Sequence, residues 1–226
     1  MKRCFAVLLS LAMCLSVAFP ASAQGNGGYT VGGTVTFGHY EQDNNLDNGQ
    51  EPVDWIVLKV EGDKAFLISQ YCLDAHAYHV DFVPMTWAKC TLRVWLNEVF
   101  YNVAFSAEEQ ARIQEVTVSN PDNPHYGTYG GDDTTDRVYL LSLAEAYEYF
   151  PDQTGRQGVP TAYAVARGGY LNETTGKTWW WLRSPGVRRI DACGVRADGR
   201  ISGYGSRDVY RPSGTIRPVL WVALGT

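Results

Sequence analysis

The sequence predicts an α+β fold in one domain of short antiparallel strands, about three helices and long loops. Three observations predict it. Aromatic residues make up 13% of the chain and glycines number 23, a composition that favours short strands and turns over a helical bundle. Runs rich in β-branched and aromatic residues lie near both ends of the chain, with helix-start signals between them. No Pro- or Ser-rich linker, repeat or heptad pattern divides the sequence, and its length suits one full core.

The N-terminus is read apart from the fold. Lys2 and Arg3 precede an apolar run from about Phe5 to Phe19, and Ala21-Ser22-Ala23 supplies small residues for signal-peptidase cleavage. The run is shorter than the ~20 residues that span a bilayer, so residues 1–23 are expected to leave as a signal peptide, with no transmembrane segment afterwards. Met13 is too large for the position before a lipidated Cys14. Residues 24–33 are expected as a flexible segment and residues 34–226 as the domain, secreted and extracellular. The formal charge of −5 becomes two units more negative without Lys2 and Arg3, which argues against nucleic acid as a partner.

Within the domain, Thr34–Tyr40, Val53–Val60 and Lys64–Gln70 read as strands, the last two joined in a hairpin through Glu61–Asp63. Leu92, Trp95, Leu96, Val99 and Phe100 fall at helical spacing and predict an apolar stripe laid on the sheet. Ser106 with Glu109, and Ser142 with Glu145, form capping-box patterns that start two more helices. Between them, Asn120–Asp133 reads as a surface loop and Arg137–Leu141 as a strand. The C-terminal third returns to β structure. Asp198-Gly199 marks a hairpin turn in Cys193–Gly203, and Ile216–Val222 closes the chain, its Pro218 implying an edge or a bulge.

Four stretches also carry a resemblance. Thr86–Asn97 (TWAKCTLRVWLN), Asp136–Phe150 (DRVYLLSLAEAYEYF), Trp180–Gly186 (WWLRSPG) and Ile216–Val222 (IRPVLWV) resemble, in that order, the motifs of a domain family of unknown function that recurs in exported and surface proteins of Gram-positive bacteria. More distantly, the two-helix layout, the late Trp-rich strand and the terminal Arg-Pro strand are similar to the C-type-lectin-like fold of formylglycine-generating enzymes and of the variable receptor proteins of diversity-generating retroelements. The resemblance implies a C-type-lectin-like domain but no activity. The copper-holding cysteine pair of those enzymes has no counterpart, because Cys193 stands alone, and the Glu-Pro-Asn and Trp-Asn-Asp sugar motifs of calcium-dependent lectins are absent.

The run Trp179-Trp180-Trp181 poses the sharpest question, since three such rings rarely share one core. Alternation places Trp180 with Leu182 on one face, and Trp179 and Trp181 with Arg183 on the other. Trp180 is then the core ring, Trp181 a partner for guanidinium stacking by Arg183, and Trp179, beside the polar stretch Asn172–Thr178, the ring expected at the surface. From Arg183 to Arg217 the chain holds eight arginines, no lysine and only Asp191, Asp198 and Asp208 as acids. Arginine presents a planar fork suited to carboxylate, sulfate or phosphate. Such a stretch in Gly- and Tyr-rich loops fits an anionic polymer, or else braces those loops by pairing with the acids.

Other clusters are weaker. Asp43, Asn45 and Asp47 alternate as in a calcium loop, but the glycine arrives one residue late at Gly49 and Asp54 stands where a bidentate Glu is needed, favouring a solvated turn. His76 and His79 with Cys72 and Asp81 bind zinc only if the loop folds back on itself, and are read as polar loop residues. Cys72, Cys90 and Cys193 are an odd set, read as buried free thiols, with one disulfide such as Cys72–Cys90 and a third thiol left over as the alternative. No nucleophile motif nominates a catalytic residue.

The expectation is a secreted, non-catalytic binding or adhesion module for an acidic glycan or cell-wall polymer, needing no cofactor or metal. Trp179, Tyr204 and Tyr210 are its expected stacking surfaces, and Arg188, Arg189, Arg207 and Arg211 its anion donors. The alternatives are an enzyme on a formylglycine-generating-type scaffold and a structural surface domain without a small ligand.

Overall fold

The computed structural model describes residues 28–225, with the side chains of residues 203–207 outside that description. The expected leader, residues 1–23, lies outside the described residues. Of the expected flexible segment, residues 28–33 are described and make contacts with the domain. Gly32 N–H donates to the Val57 carbonyl, Val57 N–H donates to Gly33, and Tyr29 packs into the core.

The domain is mixed α+β. One sheet has the order β1-β2-β3-β11, all antiparallel: β1 (Thr34–Tyr40), β2 (Glu51–Glu61), β3 (Lys64–Ser69) and β11 (Val219–Ala223). The other has the order β4-β10-β7-β8-β9: β4 (Asp74–Ala75), β10 (Thr215–Ile216), β7 (Trp180–Pro185), β8 (Asp191–Val195) and β9 (Ile201–Asp208). In it only the β10–β7 contact is parallel. A small pair, β5 (Val116–Val118) and β6 (Thr134–Asp136), stands apart. The chain changes sheets at Arg217-Pro218, between β10 and β11. Proline has no N–H to give a ladder, so the break falls there and β11 takes an edge, as its sequence implies.

Among the described residues there are four α-helical segments, besides a short 3₁₀ turn at Trp87–Lys89. The first runs through α1 (Thr91–Trp95), a π-helical turn (Leu96–Phe100) and α2 (Tyr101–Ala104). In that turn the Tyr101 N–H bonds back five residues to the Leu96 carbonyl. The wider turn changes the angular step per residue, so Leu92, Leu96 and Phe100 stay buried while Val99 is 47% exposed. Val99 therefore departs from the expected stripe. Helices α3 (Ala107–Arg112) and α4 (Leu143–Tyr149) begin at complete capping boxes, where Glu109 and Glu145 return hydrogen bonds to the N–H groups of Ser106 and Ser142. Helix α5 (Ala162–Ala166), capped by Thr161, is too short to show a periodic stripe and was not expected.

The expected strand Arg137–Leu141 is corrected to extended chain with a single bridge, Tyr139 to Val219. The side chain of Asn97 takes the place of a strand partner, accepting from Arg137 N–H at 2.8 Å and donating to the Val138 carbonyl at 2.9 Å. Apolar side chains from both sheets and from the helices meet in one core cluster.

All three tryptophans enter that core, against expectation. β7 is the central strand of its sheet and every one of its residues is buried. A strand covered on both faces has no solvent face for alternation to reveal. Each indole N–H that is buried needs an acceptor; Trp180 donates to the Arg156 carbonyl at 3.0 Å and Trp181 to the His76 carbonyl at 2.9 Å. Trp181 meets Tyr78 and Trp179 edge-on, so Arg183 stacks instead over Tyr139, 5.7 Å from its centroid. The Arg183 guanidinium pairs bidentately with Glu145, the capping residue of α4, and donates to the Leu140 and Ser119 carbonyls. Arg217 lies between Trp180 and Phe150 and donates to the Ser69 carbonyl at 2.9 Å. Burial lowers its pKa from the usual guanidinium value.

Candidate functional site

The turn joining β8 to β9 follows directly from its residues. Gly199 N–H bonds to the Arg196 carbonyl, and Gly199 takes φ +84°, a conformation open to glycine and strained for most residues. Asp198 is not in a left-handed conformation, so Gly199 alone meets the demand. The turn sets Arg196 and Asp198 at the edge of a cavity of about 340 Å³.

Across the cavity, Tyr170 N–H donates to the Ser213 carbonyl at 3.1 Å and Asn172 closes its own loop through an N–H bond to Lys177. The Asn172 side chain also accepts from the N–H groups of Thr174 and Thr175, both at 3.1 Å. Thr215 fixes the base, its hydroxyl donating to the Trp179 carbonyl at 2.6 Å. Trp179 is 2% exposed, correcting the expectation of a surface ring, yet its edge lines the cavity with Tyr170, Asn172, Ser213, Arg196 and Arg211. Gly214 makes this packing feasible: a Cβ there would stand 2.0 Å from Trp181 Nε1 and 2.7 Å from Trp179 Cη2.

Charge at the cavity is positive. Arg196 and Arg200 approach Asp198 only at 3.9 and 3.8 Å, and all three side chains are largely in solvent. Such loose exposed pairs stabilise by about 0–1 kcal/mol, so neither guanidinium is firmly committed to Asp198. Arg211 is exposed on the same cavity.

The expected site residues divide. Trp179 and Arg211 come together here. Arg188 stands at the Asp191–Asp208 end of the β8–β9 ladder, where its fork holds the buried Asp191 at 2.8 and 2.9 Å and reaches Asp208 at 3.2 Å. It braces the β7–β8 connection. Arg189 is exposed nearby, and Tyr210 meets Phe82 edge-on at 5.4 Å. The side chains of Tyr204 and Arg207 lie outside the described residues. Sequence reasoning overlooked Arg196, Tyr170, Asn172 and Ser213 as site residues. The Asp198-Gly199 signal locates Arg196 at a hairpin tip, but nothing local reveals that residues 170–172 face it.

The remaining clusters resolve into structural roles. Asp43 accepts from Asn45 N–H at 2.7 Å and from the Asn48 side chain at 2.8 Å, forming a tight polar turn, while Asp54 accepts from the Thr36 hydroxyl. The carboxylates of Glu41, Asp43 and Glu51 nevertheless lie within 4.8 Å of one another. His79 accepts from Thr91 N–H, whereas His76 stacks on Trp95, so the two rings do not converge. Cys72, Cys90 and Cys193 are buried free thiols. Burial pushes Cys72 up to about 11, and Cys90 and Cys193 up to about 12.

Fold and site together define a mixed α+β domain carrying an arginine-rimmed polar cavity. The family described as "Domain of unknown function (DUF6273)" matches residues 62–224, most of the chain, and the protein belongs to it. Comparison with curated proteins and with solved structures finds no match. Among the described residues no helix is long and apolar enough to cross a membrane.

Proposed function

We propose that the protein is an exported, non-catalytic binding module of C-type-lectin-like architecture whose cavity takes an anionic saccharide unit of a glycan or wall polymer. One observation carries the reading: Arg196 and Arg211 rim a cavity that also holds an indole edge, a phenol, an amide and a hydroxyl. Guanidinium forks recognise carboxylate or phosphate bidentately, and the remaining groups suit sugar hydroxyls and ring faces. The late Trp-rich strand β7 and the terminal Arg217-Pro218 strand support the architecture, and the Lys2 to Ala23 leader pattern supports export. An enzyme using these thiols is disfavoured, since all three are buried and held protonated near neutral pH.

The test is titration of the purified protein with polygalacturonate and with neutral dextran at low and high salt. Salt-sensitive binding to polygalacturonate alone is expected. Equal binding to both, or to neither, contradicts the proposal.

A further inference from the structure

A second cavity, of about 390 Å³, has the carboxylate-bearing Asp74 of β4 in its wall. Its walls include the rings of Tyr40, Trp95, Phe100 and Tyr163. These rings support one another: Tyr40 lies 5.0 Å from Phe100 and 5.9 Å from Tyr163, and Trp95 lies 5.7 Å from Phe100. The mouth is apolar. Leu46 is 76% exposed there, and Val99 and Val103 are each 47% exposed. The π-helical turn is what brings Val99 to this mouth instead of into the core.

Beneath the rings the charge is negative. Asp74 is 2% exposed and accepts from the Tyr40 hydroxyl at 2.6 Å and from Ala75 N–H at 2.7 Å. Both are neutral donors, so its charge is met by two basic partners at longer range. The two basic side chains near it, His76 and Arg167, stand off at 3.5 Å each, and His76 Nε2 makes no hydrogen bond. Glu41, also buried, adds a second carboxylate to the cavity wall, with Asp43 and Glu51 close behind it. Arg167 itself shows what the place accepts. Its guanidinium sits 6.0 Å from the Tyr163 centroid while the side chain remains half in solvent. It is a loosely held intramolecular guest.

We propose that this cavity is a binding site for a small alkylated organic cation, the ammonium settling between the aromatic rings above Asp74 and Glu41 and its alkyl groups against Trp95, Val99 and Val103. Aromatic faces attract a cation that sheds little hydration on entering, and a desolvated carboxylate strengthens the attraction. A neutral molecule of the same shape gains only the apolar contact. The ligand displaces Arg167 into solvent.

Calorimetry with choline, and with 3,3-dimethyl-1-butanol as its uncharged carbon isostere, tests the proposal. Choline is expected to bind roughly tenfold or more tightly than the isostere. Because Asp74→Asn removes an acceptor from the core and risks unfolding, the decisive variants are at the surface. Val103→Trp fills the mouth and is expected to abolish choline binding with the melting transition retained, whereas Arg167→Ala removes the internal guest and is expected to tighten it. Equal affinity for the two compounds, no binding of choline, or choline binding that survives Val103→Trp overturns the proposal. Arg196→Ala with Arg211→Ala is expected to leave choline binding unchanged, which separates this site from the anionic one.

Discussion

Arg183 and Arg217 differ from Arg196 and Arg211 in almost everything but residue type. The first two are buried, stacked on rings and bonded to carbonyls or to Glu145. The second two are exposed on a cavity, and Arg196 is held only by a 3.9 Å approach to Asp198. One arginine-rich stretch thus holds two kinds of arginine, one bracing the core and one that the proposed function assigns to a ligand. A guanidinium with carbonyl and carboxylate partners inside the core joins elements together, whereas one left in water with a weak partner keeps its fork available for a ligand. A count of arginines overstates the binding surface, since Arg188 also belongs with the bracing group.

The largest expected break in this comparison is Arg183→Ala. It strands Glu145 at the start of α4 and leaves the Leu140 and Ser119 carbonyls without their donor, and should cost about 3–5 kcal/mol in chemical denaturation. Next comes Gly214→Ala. With a methyl forced to 2.0 Å from Trp181 Nε1, overpacking should cost about 1–3 kcal/mol and disturb the cavity base as well. Arg188→Ala should lower stability less than either, because Asp191 is buried but its partner is well exposed. A stability effect near zero would move Arg188 into the free group.

Acid sharpens a different contrast, between Asp74 and ordinary surface carboxylates. Burial raises the Asp74 pKa, but His76, the Tyr40 hydroxyl and Ala75 N–H outweigh it and hold the carboxyl below its usual value. A carboxyl lowered on folding stabilises the native state above the unfolded value, and that contribution is lost as pH falls through the folded one. Asp74→Asn should therefore lower stability at neutral pH and flatten its fall below about pH 4. Denaturant midpoints measured across that range decide it, and parallel curves for the two proteins would contradict it.

How much was legible follows the range of the interactions. Ser106–Glu109 and Ser142–Glu145 satisfy backbone donors three residues away, and both capping boxes stand as read. The Gly199 turn and the change of course at Pro218 are equally local. Trp179 misled because the polar stretch Asn172–Thr178 beside it reads as surface, whereas the ring, just ahead of the fully buried β7, packs into the core. Val99 misled because helical spacing assumes an unbroken α-helix. The pairings of Arg183 with Glu145 and of residues 170–172 with the Arg196 turn depend on chain segments tens of residues apart, and no local pattern announces them. The charge asymmetry was visible in the sequence, but which arginines lack close partners was not.

The most direct test of that division is the double variant Arg196→Ala with Arg211→Ala, titrated with polygalacturonate beside Arg188→Ala. The double variant should lose binding by roughly tenfold or more while its stability stays within about 0.5 kcal/mol of the parent protein, and Arg188→Ala should do the reverse. Undiminished binding in the double variant, with loss of binding in Arg188→Ala, would place the anion site at the Asp191–Asp208 end of the ladder and contradict the account.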